Sequence, residues 1–111
     1  MNPEPFQFFN KDVVHFRSYL LCEIAGEIAG MVIFTEQSMF NPDMFGISVV
    51  TVQSKFKNKG VASFLVDSLF KLAELHGKGI RVTPYEPEGL LYLKPVIHRV
   101  GNQYDVEFVE A

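Results

Sequence analysis

Three lysines and a glycine crowd one stretch, Val52-Gln53-Ser54-Lys55-Phe56-Lys57-Asn58-Lys59-Gly60-Val61-Ala62-Ser63. An apolar, β-branched run, Ile47 to Val52, precedes it, and a helix-period run, Val61 to Leu75, follows. A strand that ends in a basic, glycine-containing turn and opens a helix can hold phosphate. The first N–H groups of a helix have no intrahelical partner, and the helix dipole is positive there. Glycine lets an anion approach the backbone closely. No acid occurs between Asp43 and Asp67, and all three lysines in that interval lie in this loop. The formal net charge is −3, with two basic and six acidic residues up to Val52 and eight basic and seven acidic beyond it. A local anion site on an acidic protein fits this distribution; a nucleic-acid surface does not.

Other reactive side chains are sparse. Cys22 is the only cysteine, so it has neither a disulfide partner nor a second thiolate for zinc, and no metal site is expected. A reducing cytoplasm is the expected compartment. In its strand, Cys22 reads as a small buried hydrophobe. No general base stands out among the titratable side chains; Glu36 and Asp43 are candidates, and His15 and His98 rank below them. No apolar run approaches the roughly 18 residues of a membrane span. The start, MNPEPFQFFNKD, has no basic n-region of a signal peptide.

The chain has 111 residues, the size of one domain, and 48% of them are apolar, enough for a packed core. Residues 1–12 carry two prolines and three phenylalanines without a period and read as an irregular N-terminal arm whose Phe6, Phe8 and Phe9 pack on the body. Residues 13–111 then form the domain. Val13 to Ile24 reads as a bulged strand, Ala25-Gly26-Glu27 as a tight turn and Ile28 to Phe34 as the returning strand of a hairpin. Asn41-Pro42-Asp43 is turn chemistry. Met44 to Val52 reads as a central strand. Val61, Phe64, Leu65, Ser68, Leu69, Leu72 and Ala73 form a helical face that ends at His76-Gly77. Gly79 to Thr83 is a short strand, and a helix starts with Pro87 at its first position and is kinked or shortened by Pro95. Tyr104 to Val109 alternates as a last strand. The order β-β-β-α-β-α-β implies an α/β (α+β) fold with a mixed, mostly antiparallel central sheet.

These segments resemble the GCN5-related N-acetyltransferases, the GNAT superfamily. Gly26-Glu27-Ile28-Ala29-Gly30 is similar to the family's hairpin signature, Lys57-Asn58-Lys59-Gly60-Val61-Ala62 to its acyl-CoA motif [R/Q]-x-x-G-x-[G/A], and Leu91-Tyr92-Leu93-Lys94 to the tyrosine segment of its fourth helix. The match runs from about Tyr19 to Lys94, in order.

The resemblance implies an acetyltransferase that takes acetyl-CoA as donor and an amine, a protein or peptide among the candidates, as acceptor. Lys57, Asn58, Lys59, Gly60, Val61 and Ala62 would cradle the CoA pyrophosphate, with Ser63 beside them. Val50, Thr51 and Val52 would pair with the pantetheine arm where a bulged strand splays from its parallel neighbour. Tyr92 would return a proton to the leaving thiolate, and Glu36 is the candidate base. The chain departs from the family in Lys57 for Arg or Gln, in Tyr85 where Asn is common, and in Lys94-Pro95 where Gly-Phe usually follows the tyrosine. It also reads as N-terminally trimmed, lacking the two helices that wall the acceptor site. An open acceptor side, completed by a second subunit in a homodimer or shaped for a protein surface, is the consequence. The alternative is a non-catalytic GNAT-fold module that binds acyl-CoA or a protein partner.

Overall fold

The computed structural model describes residues 4–12, 17–36, 43–82 and 87–110. Six strands form one sheet in sequence order: β1 (Glu4–Asp12), β2 (Arg17–Ile24), β3 (Glu27–Thr35), β4 (Met44–Val52), β5 (Gly79–Val82) and β6 (Phe108–Glu110). Pairing is antiparallel from β1 to β4, and parallel from β4 to β5 and from β5 to β6. Helix α1 (Val61–Leu75) crosses over from β4 to β5, and α2 (Pro87–Gly101) from β5 to β6. The mixed, mostly antiparallel sheet expected from the sequence is therefore present, with one strand more.

That extra strand is a correction. Glu4–Asp12 is not an irregular arm but an edge strand, registered from Glu4↔Glu23 to Asp12↔Arg17. Pro3 and Pro5 disguise it in the sequence, yet an edge strand tolerates proline because only one side of its backbone needs partners. Residues 13–16 alone join β1 to β2, too few for the two helices that the family places in this region. The expected turns at Asn41-Pro42 and Thr83 to Glu86, the start of the second strand and His15 lie outside the described residues, as does the expected packing of Phe6, Phe8 and Phe9.

The β2–β3 hairpin turns through Ala25 and Gly26, both at positive φ (53° and 81°), the twist that suits a two-residue hairpin loop. Two bulges follow. One extra residue, Ala29, sits in β3 between Cys22↔Gly30 and Glu23↔Ile28. The other, Ser48, sits in β4 between Ile33↔Val49 and Phe34↔Ile47. A bulge bends its strand and increases the local twist.

Both helices pack on one face of the sheet. Val32, Phe34, Leu65, Leu69, Phe70, Ile80 and Ile97 are fully buried there, with the Phe34 and Phe45 rings 5.4 Å apart. Val66 and Phe70 are buried in α1 although they fall beside the apolar stripe read from spacing, while Phe64, Ser68 and Leu72 are only half-buried. The reason is α2. Gly101 packs against the Phe70 ring and Tyr104 stacks on it at 5.9 Å, so α1 buries two adjacent stripes. Helix α1 closes as expected: Gly77 has φ +66°, and the Lys78 amide donates to the Ala73 carbonyl at 2.9 Å.

Two further corrections concern the C-terminal third. Helix α2 runs its full 15 residues through Pro95 rather than being shortened by it; Pro95 is exposed. The last strand is Phe108–Glu110 only. Tyr104 leaves the strand pattern because its hydroxyl donates to the Asp67 carboxylate and its ring serves the helix interface.

Candidate active site

The expected donor residues lie where β4 runs into α1. Among the described residues, pairing of β4 with β5 spans Met44↔Gly79 to Ile47↔Val82. The Ser48 bulge follows at once in β4, and Val50, Thr51 and Val52 pair with Val32, Met31 and Gly30 of β3. Successive residues of a strand aim their backbone groups at alternate neighbours, so part of this segment's amides and carbonyls face away from β3.

Beyond Val52, a 3₁₀ turn (Ser54–Phe56) and a tight turn lead into the helix. Asn58 stands at φ 62° and Gly60 at φ 81°. Asparagine is among the few residues other than glycine that enter this region readily. A Cβ on Gly60 would meet no atom within 4 Å, so the positive φ, not crowding, demands glycine there. The first helical bond is Phe64 N–H to Gly60 C=O, 3.0 Å. The amides of Val61, Ala62 and Ser63 precede it, no side chain caps the helix, and its first turn has no acid. Lys57, Asn58, Lys59 and Gly60 are all exposed. The structure thus places all ten expected donor residues, Val50 to Val52 and Lys57 to Ser63, along one continuous strand end, turn and helix start.

The loop is tied to the sheet rather than draped over it. The Gln53 amide donates to Ala29 C=O at 2.9 Å, and its side chain to Ile28 C=O at 2.6 Å. Lys55 Nζ lies 2.6 Å from Oε1 of Glu27 and 5.2 Å from the centre of the Phe56 ring. Lys55 therefore pins the loop to the hairpin turn. Gly30 brings the helix in close. A Cβ at Gly30 would lie 2.8 Å from the Thr51 carbonyl oxygen and 2.8 Å from a Val61 methyl.

Of the two expected catalytic residues, one stands on α2 and the other at the far end of β3. Tyr92 is in the first half of α2 and is 68% exposed, so it is not a packing tyrosine. Glu36 follows β3 at the end remote from the loop, since Gly30 pairs with Val52 and Thr35 with Gly46. Its carboxylate accepts from Ser18 Oγ at 3.2 Å, and its carbonyl accepts from Lys78 Nζ at 2.7 Å. Asp43 precedes β4 at that same end, and its carbonyl accepts from the Gly79 amide. His98 lies 2.8 Å from Glu110 and edge-on to Phe108 at 5.3 Å, a helix-to-strand contact. Cys22 is fully buried, and burial raises its thiol pKa, as suits a core residue and not a nucleophile.

Arg99 was missed by sequence reading. It reaches from the last turn of α2 to the first turn of α1, where its Nη2 donates to Ser63 Oγ at 2.6 Å. Only the helix packing reveals this, since 36 residues separate the two. A polar cleft of about 350 Å³ lies at the opposite end of the sheet, lined by Asp43, Glu74, Lys78, Asp105 and Glu107 among others. Among the described residues, no group of three His, Cys, Asp or Glu could hold a metal ion, and no helix is long and apolar enough to cross a membrane.

Comparison with known proteins agrees with this geometry. The Acetyltransferase (GNAT) family profile matches residues 2–85. No curated protein matches the chain. Among solved structures, a GNAT family acetyltransferase from Elizabethkingia anophelis with acetyl-CoA bound is similar at 16% identity and TM-score 0.67, over 85% of this chain and 73% of that one. A Bacillus subtilis acetyltransferase in complex with CoA has 15% identity and TM-score 0.71, over 90% and 76%. An IAA acetyltransferase from Bacillus cereus has 13% identity and TM-score 0.70, over 98% and 90%. The family match spans most of the chain, from β1 through β5, and includes the whole donor edge, turn and helix start: the chain belongs to the acetyltransferase (GNAT) family.

Proposed function

We propose that this protein transfers an acetyl group from acetyl-CoA to a primary amine. The observation that carries the reading is the bulged strand β4 running through the Asn58–Gly60 turn into the uncapped, acid-free start of α1. The pantetheine arm lies along Val50 to Val52, on the side of β4 away from β3. The amides from Asn58 to Ser63 then meet the pyrophosphate, each N–H to a phosphate oxygen being a charge-assisted bond, while the Lys57 amide donates to the Ser54 carbonyl. Lys57 and Lys59 add positive charge at the exposed rim of the loop.

In the reaction, the amine nitrogen bonds to the thioester carbon and the carbon–sulfur bond breaks. Tyr92, exposed on α2, gives its hydroxyl proton to the leaving thiolate. Glu36 takes the amine proton through water, because it lies about three residues of strand, roughly 10 Å, from the β4 bulge. The four-residue link between β1 and β2 leaves the acceptor side unwalled by helices, which favours an amine on a protein or peptide over an enclosed small molecule. A single buried cysteine suits a reducing cytoplasm.

The same link favours the second reading, a domain that binds acyl-CoA or a protein partner without turnover. Calorimetry with CoA, followed by acetyl-CoA consumption against a cell lysate with mapping of acetylated products, separates the two. Transfer is supported if Gly60→Glu abolishes CoA binding and Tyr92→Phe slows turnover at unchanged CoA affinity. Normal turnover in Tyr92→Phe removes Tyr92 from the mechanism, and absence of CoA binding by the unaltered protein ends both acyl-CoA readings.

A further inference from the structure

The donor site as proposed above draws on the loop and the start of α1; the packing of α2 adds a residue that no motif contains. Three cationic or titratable side chains occupy the second half of α2. Lys94 and His98 turn to the sheet, where Glu110 lies 4.0 Å from the Lys94 amine and 2.8 Å from the His98 ring. Arg99 turns the other way, to Ser63 in the first turn of α1. It is exposed, and among the described residues no carboxylate pairs with it.

That position is half favourable. A cation in the last turn of α2 is stabilised by the negative end of that helix's dipole, but the start of α1 is a positive end and repels it. Lys59 stands in the same region, and the first turn of α1 contains no acid. A guanidinium held in such a field is stabilised when an anion arrives. The hydrogen bond to Ser63 uses one of the five N–H donors of the guanidinium. The others remain, in the planar fork that suits phosphate. Because Ser63 accepts from Arg99, its own hydroxyl proton is available to the same anion.

We propose that Arg99, positioned by Ser63, is a specificity determinant of the donor site: its guanidinium binds a phosphate of the nucleotide end of CoA across the first turn of α1. The inference rests on the reading that this loop holds CoA. The nucleotide end offers two sources of the same chemistry, the diphosphate and the 3′-phosphate, and the test distinguishes them.

The full chain and its Arg99→Ala and Arg99→Lys variants are titrated calorimetrically with CoA and with 3′-dephospho-CoA. Arg99→Ala is expected to lose about tenfold to a hundredfold in CoA affinity, the range of a hydrogen bond to a charged group. Arg99→Lys keeps the charge without the fork and is expected to fall between the two. If the 3′-phosphate is the target, the variant no longer prefers CoA over the dephospho form; if the diphosphate is, both ligands weaken equally. Either pattern upholds the role. Arg99→Ala binding CoA within twofold of the unaltered protein overturns it while leaving the loop site standing. Failure of the unaltered protein to bind CoA overturns the site itself. Thermal melts accompany each titration, and Arg99→Lys decides the matter if Arg99→Ala does not fold.

Discussion

The two faces of the sheet are built to different standards. Along β3, Val32 and Phe34 point to the helices and are fully buried, while Met31 and Ile33, their immediate neighbours, are only half-buried. Across three strands, Tyr19, Ile33 and Val49 form a row on that second face, and Val49 is 41% exposed. Among the described residues, no helix covers it. Strand periodicity makes the contrast sharp, since adjacent residues sample opposite environments on one backbone. The lesson is a division of labour. The helix face carries most of the buried core, and the loop into α1 rests on it; the second face contributes less.

Four substitutions test that division, in descending order of effect. Phe34→Ala on the helix face should cost about 3–5 kcal/mol by denaturant unfolding, the usual range for a large buried aromatic. Gly30→Ala should cost about 1–3 kcal/mol, because the new methyl meets Thr51 and Val61 with nowhere to go. It should also weaken CoA binding by moving the first turn of α1; unaltered CoA affinity would detach the cradle from this contact. Tyr104→Phe should cost about 1–2 kcal/mol through the lost bond to Asp67. Ile33→Ala, on the second face, should cost about 1 kcal/mol or less, with CoA affinity unchanged. A penalty matching that of Phe34→Ala would mean that the second face is covered in solution, by another copy or by a partner.

Tyr104 also fixes a pH dependence. Burial, then the hydrogen bond and charge of Asp67, then the charge of Glu74, push its phenol from an ordinary value near 10 up to about 12. A folded value above the unfolded one favours folding fully below pH 10, and that contribution is lost as pH rises through about 12. Alkaline unfolding of the unaltered protein should therefore show a fall in stability between these values that Tyr104→Phe lacks. Parallel curves for the two proteins would refute this role.

The sequence was most legible where local rules decide. The Ala25-Gly26 turn, the bounds of α1 and the closure at Gly77 follow from turn chemistry and helical period, and the structure agrees with each. The donor loop was legible for the same reason: a strand, a basic turn with Gly60 and a helix start are adjacent in the chain. What hid was settled by partners distant in sequence. Residues 4–12 carry prolines that argue against a strand, and only the free edge of β2 makes one of them. Val66 and Phe70 gained burial from α2, and Arg99 gained its place at Ser63 the same way. Tyr104 alternates like a strand residue, yet Asp67 and Phe70 claim it. Glu36 was named from its place at a strand end, and its surroundings at Ser18 and Lys78 could not be read from that.

Gly30 has a consequence beyond local fit. Because Gly30 has no side chain, Val61 in the first turn of α1 rests directly on the main chain of β3, and the loop proposed to hold phosphate takes its height from that contact. Side-chain layers settle by a few tenths of an ångström whenever a core residue is exchanged for another of similar volume, and a loop resting on such a layer drifts with it. A loop measured off a strand does not. The loop works as a datum surface, a fixed height against which the chain can revise its core and its second face without recalibrating where the proposed phosphate site lies.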